Sequence, residues 1–202
     1  MPGDALSTMQ TQAWITAGAR YNAVRRISAR SQFSVITVAL LSGVGVVVPL
    51  ISTSHALSST EGGLAIFSAF LAIIVLVVSL IDGAADFGKK SYVLYKNAED
   101  LNSFSRKVGI LIKGDIGAVN ILDLQREYEA LKQSCAINHE PIDLLRFKAQ
   151  HRKSPEFSMG GRPDMSAIAA VAVVVLYTLH SRWWMLILWV AALAGFLLLT
   201  AE

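Results

Sequence analysis

The sequence predicts an all-α integral membrane protein with two N-terminal transmembrane helices, a cytosolic helical region and a C-terminal transmembrane hairpin. Three observations predict it. Residues 33–51 and 64–81 contain no charged side chain. Each falls within the range of about 17–25 residues that lets a helix cross roughly 30 Å of hydrocarbon. The 202 residues are 53% hydrophobic and only 16% charged, against about 25% charged in a typical soluble domain. Outside the apolar runs, hydrophobic residues recur at the three/four spacing of helices, with no strand of consequence.

Residues 1–32 form the first element. Leu6, Met9, Ala13, Ala17, Tyr21, Val24 and Ile27 lie on one helical stripe, which leads into the first span without a breaker. The first apolar run starts only after Arg30, too late and too long for a cleaved signal, so the chain reads as mature protein. The two-span hairpin occupies residues 33–82. Its connection, 52–63, is rich in Ser, Thr and Gly and holds no Lys or Arg.

A cytosolic three-helix region follows over residues 83–153. Tyr92, Tyr95, Ala98, Leu101, Phe104, Val108 and Leu111 mark its first helix, expected to continue the second span with a bend near Gly83 or Gly88. Gly114 and Gly117 end it. Ile121, Leu124, Tyr128 and Leu131 mark the next, and the string Asn138-His139-Glu140-Pro141 opens a third. Proline is favoured at the first helical position, with Glu140 or His139 at the cap. Residues 154–164 form a linker containing Pro155, Gly160, Gly161 and Pro163. Residues 165–202 then hold two apolar stretches, 167–179 and 183–201, separated by His180, Ser181 and Arg182. They are expected to form a second hairpin; the first stretch is short, so a shallow or re-entrant hairpin is the alternative.

Basic residues set the orientation. Arg20, Arg25, Arg26 and Arg30 precede the first span, and thirteen Lys/Arg lie within 82–164. The positive-inside rule places both termini and the central region in the cytosol and the 52–63 connection outside. Seventeen of the eighteen basic residues obey, Arg182 being the exception. The net charge of +3 is no nucleic-acid footprint, because residues 82–164 balance thirteen basic with twelve acidic residues. The excess sits before the first span, where anionic lipid headgroups are the natural partner. The single cysteine, Cys135, closes no intramolecular disulfide and fits a reducing cytosol.

Catalytic chemistry has little support. Residues 83–90 resemble a phosphate loop, but a membrane-length helix precedes them and Lys90 replaces the hydroxyl that would hold Mg²⁺. His55, His139, His151 and His180 are scattered, without metal-ligand spacing, and no serine-nucleophile elbow is present. The expectation is no enzyme, no cofactor and no metal.

The candidate residues are mild. Ser34, Thr37, Ser42 and Gly45 in the first span, and Ser68 and Ser79 in the second, offer small faces that either pack helices in lipid or line a water path. Asp82 and Asp86 stand one turn apart at the cytosolic mouth, where they either ring a cation pathway or mark the interface. Trp183, Trp184 and Trp189 are interfacial anchors and packing groups. His139 and Asp143 either cap and charge a helix start or take part in signal binding or assembly.

Two spans, an amphipathic helix, Tyr128 and the string Asn138-His139-Glu140-Pro141-Ile142-Asp143 followed by Leu144, Leu145, Phe147 and Lys148 resemble the SLATT family, the SMODS and SLOG-associating two-transmembrane effectors of bacteria. The likeness covers about residues 20–148. It departs at Leu144, where the family tends to carry an aromatic, and leaves residues 165–202 outside the two-span pattern. The resemblance implies an oligomeric effector of the bacterial inner membrane, multi-pass. Such a protein forms a pore or breaches the bilayer in a nucleotide-signalled anti-phage system, beside a nucleotide-signal synthase or sensor. The alternative is a constitutive membrane scaffold that docks a soluble partner through its cytosolic helices.

Overall fold

Helices account for nearly all of the chain that the computed structural model describes, which is residues 2–52, 61–114 and 120–200. The first, α1, runs from Pro2 to Ser52. Pro2 stands in the first turn, where its missing N–H leaves no bond unmade. Asp4 there complements the helix dipole. The next proline, Pro49, falls only at the far end of the helix. The N-terminal stripe and the first span are therefore one element, as the unbroken pattern predicts.

After the connection, most of which lies outside the described residues, come α2 (Glu61–Ala85) and α3 (Phe87–Lys113). A single residue separates them. Asp86 has φ of 47°, in the left-handed region that a short polar side chain tolerates better than most. The interruption thus falls between the two expected glycines, and Gly83 and Gly88 stay helical. Gly114 ends the third helix as a bend, while Gly117 lies outside the described residues.

Helix α4 (Ile121–Gln133) starts on Asn120, whose Oδ1 accepts the Leu122 N–H at 3.1 Å. Helix α5 (Pro141–Gln150) opens with Pro141 at its first position and Glu140 at the cap. The segment read as a linker is an ordered turn. A 3-10 turn at Pro155–Phe157 leads into two-residue strands, β1 (Ser158–Met159) and β2 (Arg162–Pro163), paired antiparallel. Gly160 and Gly161 supply the two positive φ angles, 59° and 78°, that a tight hairpin turn demands.

The C-terminal hairpin does not form. Residues 167–179 and 183–200 belong to one helix, α6, Ala167–Thr200. Neither glycine nor proline stands between them, and the three polar residues all find places along a continuous helix. His180 Nε2 lies 2.9 Å from Glu140 Oε2, Ser181 is buried, and the Arg182 guanidinium lies over the Phe33 ring at 5.8 Å. Polarity alone does not turn a helix. Three helical stretches, in α1, in α2 and in α6, are long and apolar enough to cross a membrane, and the chain is an all-α membrane protein.

The described residues divide into two units. Residues 2–28 and 88–180 make one, with Leu6, Met9, Ala13 and Ala17 of α1 packed on Leu101, Phe104 and Val108 of α3 and Leu124 and Tyr128 of α4. Around Trp14, the rings of Phe147, His151 and Phe157 lie 4.8, 5.1 and 6.0 Å away, tying α5 and the 3-10 turn to α1. Gly18 makes room for this group: a Cβ there would stand 2.0 Å from Phe147 Cε2. Residues 29–87 and 181–200 make the other unit, in which α1, α2 and α6 pack along Ser34, Thr37 and Leu41, Leu64, Ser68 and Leu71, and Met185.

Candidate functional site

Asp143 is the only carboxylate fully withdrawn from solvent among the described residues. Its place follows from the helix start: Pro141 begins α5, so Asp143 falls in the first turn, where its Oδ2 accepts the Glu140 N–H at 2.9 Å. Both oxygens also meet Arg26 of α1, with Nε to Oδ1 at 2.9 Å and Nη2 to Oδ2 at 3.0 Å. A planar guanidinium matches a carboxylate in this two-pronged way, which a lysine does not.

Three elements meet on this pair. The third nitrogen of Arg26, Nη1, reaches Glu140 Oε1 at 2.8 Å, and the other oxygen of Glu140 faces His180 of α6. Asn22, one turn before Arg26, donates to the Asp143 carbonyl and to Gln150 Oε1, both at 3.2 Å. The Asn22 carbonyl accepts the Tyr177 hydroxyl of α6, and the Tyr177 ring stacks beneath Arg146 at 3.9 Å. Burial opposes the Arg26 charge, but its hydrogen bonds to Asp143 and the charges of Asp143 and Glu140 more than offset that, raising the guanidinium above its ordinary value.

His139 does not cap α5. Its backbone N–H bonds Asn138 Oδ1, and its ring Nδ1 is buried without a partner among the described residues. Burial first, then the Arg20 charge, holds the imidazole below its ordinary value, with Asp143 opposing. Arg20 is itself buried, donating from Nη2 to the Lys132 carbonyl at 3.4 Å while Nε and Nη1 have no partner among the described residues. The arrangement is a charge-assisted clamp beside unused donors on Arg20. Among the described residues no cluster of metal-ligating side chains exists. A polar cleft of about 530 Å³ in the same unit is lined by Gln10, Trp14, Asn102, Arg106 and Glu156 among others.

In the other unit the small polar residues part company. Ser34, Thr37 and Ser68 are buried between helices. Trp189 Nε1 donates to Thr37 Oγ1 at 3.3 Å, and Thr37 faces the Met185 sulfur at 4.0 Å. Gly45 faces Leu71, 3.9 Å from where a Cβ would stand. Ser42 and Ser79 instead are exposed and bond back to Val38 and Val75 carbonyls in their own helices. The expected single small face is therefore split, because the buried seam steps 34, 37, 41, 48 and residue 42 lies a further 100° around the helix. On α2 the seam uses Leu64 and Leu71, leaving Ala65 and Ala72 exposed. Asp82 is partly buried, with Oδ1 unpartnered among the described residues, and Asp86 is exposed at the α2–α3 junction. Residues 83–90 run helix, one-residue turn, helix, with no strand to shape a phosphate loop.

Arg20, Asn22 and Arg26 escape a reading that assigns the basic cluster to lipid headgroups. Arg20 and Arg26 are buried, so neither faces lipid. A signal for one of them exists in the stripe itself, since a step of three from Ala17 lands on Arg20, not Tyr21. An apolar template passes over it because arginine is not apolar.

No curated protein and no solved structure matches the chain. The family match reaches further than residues 20–148 and takes in α6. Over residues 4–199 the chain matches, and so belongs to, SMODS and SLOG-associating 2TM effector domain family 5.

Proposed function

We propose that the chain is an oligomeric effector of the bacterial inner membrane. When a nucleotide-signal synthase or sensor activates it, it opens a pore or otherwise breaches the bilayer in anti-phage conflict. Family membership supports an effector. The observation that carries the reading is that the clamp on Asp143 draws on α1 through Arg26 and on α6 through His180 and Tyr177. Both helices continue as membrane-length apolar stretches. A signal that loosens or tightens the clamp acts on the two helices that carry these spans.

The energy required is moderate. Moving a closed-to-open ratio from about 99:1 to 1:99 takes roughly 5.5 kcal/mol of differential binding, which several identical subunits can share. No step calls for bond chemistry, so the chain acts without being an enzyme and without a cofactor.

With α6 as a single crossing, the topology differs from the one expected for a terminal hairpin. Three spans put the N-terminal segment and the central region in the cytosol and the C-terminal end outside. Arg182, at the start of the last crossing, then joins the cytosolic side, and all eighteen basic residues obey the charge rule.

Ion flux from liposomes containing the purified chain tests this reading. An effector conducts, at least in the presence of its activating partner, and Arg26→Gln changes the threshold. A constitutive scaffold gives sealed liposomes under every condition.

A further inference from the structure

We propose that the first half of α6, from Ile168 to Leu179, is a docking face for a second copy of this chain. The proposal deepens the oligomeric reading above by naming the contact. It starts from a mismatch of lengths. Thirty-four residues make a helix of about 51 Å at 1.5 Å per residue, whereas the hydrocarbon core is about 30 Å thick. On the order of 14 residues lie beyond what a perpendicular crossing covers.

The surplus is at the N-terminal end. There the Tyr177 face is surrounded by the Asn22 carbonyl, Arg146 and the Glu140–His180 pair, groups that hydrocarbon does not solvate. Away from that face the helix is open among the described residues. Ile168 is 84% exposed, Val171 64%, Val174 42%, Val175 50%, Leu176 57% and Leu179 46%. No Lys, Arg, Asp or Glu occurs from residue 165 to 181.

These six side chains leave roughly 600 Å² of apolar surface uncovered, at the top of the range for the largest patch on a soluble monomer. Two copies burying it fully would remove about 1,200 Å² from water, the lower end for stable specific interfaces. A face without charge calls for an apolar complement. A second copy brings one: every copy in the bilayer carries the same uncharged face on α6. Confinement to one membrane also raises the effective concentration of like faces.

Cysteine cross-linking of the full chain in native membranes tests the proposal, in a Cys135→Ser background. Val171→Cys and Val175→Cys are expected to give dimers with a short bis-maleimide. Leu122→Cys on α4, also 64% exposed, is expected to give none. Val175→Lys is expected to lower the oligomer fraction at least tenfold by light scattering in mild detergent. Equal cross-linking at Leu122, an oligomer that forms without linking through α6, a chain that is monomeric throughout, or quenching of a Val171 label by brominated lipid tails would each overturn it. Links through α6 in cells whose membrane potential stays intact would uphold this contact while the effector reading fails.

Discussion

Arg26 and Asp143 are 117 residues apart in the chain and share two hydrogen bonds of 2.9 and 3.0 Å in a site closed to solvent. A buried ion pair of this kind adds little net stability over an apolar pair, but removing one partner strands the other charge at a cost of about 3–5 kcal/mol. Asp143→Asn and Arg26→Gln are each expected to lower the thermal midpoint of the detergent-solubilised chain markedly. The double variant Arg26→Met/Asp143→Leu is expected to recover part of the loss. A double variant as unstable as the sum of the singles would show that the two act independently.

Gly18 provides a second test, of packing. A methyl group there would stand 2.0 Å from the Phe147 ring, so Gly18→Ala forces α5 away from α1. Overpacking of this kind costs about 1–3 kcal/mol. Gly43→Ala meets nothing within 4 Å and is expected to be neutral or slightly stabilising, because alanine favours helix. Adding Phe147→Leu to Gly18→Ala should restore much of the loss, read as recovery of the thermal midpoint.

Acid is expected to weaken the cytosolic unit through His139. Burial and the Arg20 charge lower its folded-state value, so the unfolded chain binds a proton first, near pH 6.5. Stability therefore rises with pH between the folded value and about 6.5, and falls as pH drops below 6.5. Thermal midpoints measured from pH 7.5 down to 5 should decline less steeply for His139→Gln than for the parent chain. Parallel profiles would assign the acid sensitivity to another group.

The small polar residues of the membrane stretches separate packing from exposure. Ser34 is 1% exposed, so Ser34→Leu overfills a closed seam and is expected to destabilise by about 1–3 kcal/mol. Ser42 faces outward, and Ser42→Leu should leave the midpoint unchanged. If the Ser42 face lines a water path in the assembly, the same variant lowers flux at constant stability.

Much of this fold is written in periodicity. The seam from Leu6 to Ala17, the paired apolar runs and the proline at the start of α5 each follow from spacing or a local rule, and the structure has each of them. Two features are not legible in that way. His180, Ser181 and Arg182 interrupt hydropathy but not helicity, because nothing in their backbone preferences breaks a helix; hydropathy reports solvent, whereas chain reversal needs glycine, proline or a competing turn. The clamp is also hidden. The motif string exposes His139 and Asp143, but Asn22 and Arg26, which bond the Asp143 residue, and Arg20, whose charge acts on His139, lie more than a hundred residues earlier, and only tertiary packing brings them together.

Topology separates a single terminal crossing from a hairpin. A cysteine introduced at residue 202 in a Cys135→Ser background is expected to react with an impermeant maleimide added outside the cytoplasmic membrane. Arg152→Cys should react only after permeabilisation. Protection of residue 202 in intact cells would restore an even number of crossings.

The most direct measurement is membrane potential, followed with a voltage-sensitive dye in bacteria that express the chain at graded levels, with growth recorded alongside. The account predicts depolarisation that tracks the amount of chain in the membrane fraction and precedes growth arrest. Abundant chain in that fraction, with normal potential and normal growth even beside its activating partner, would contradict it.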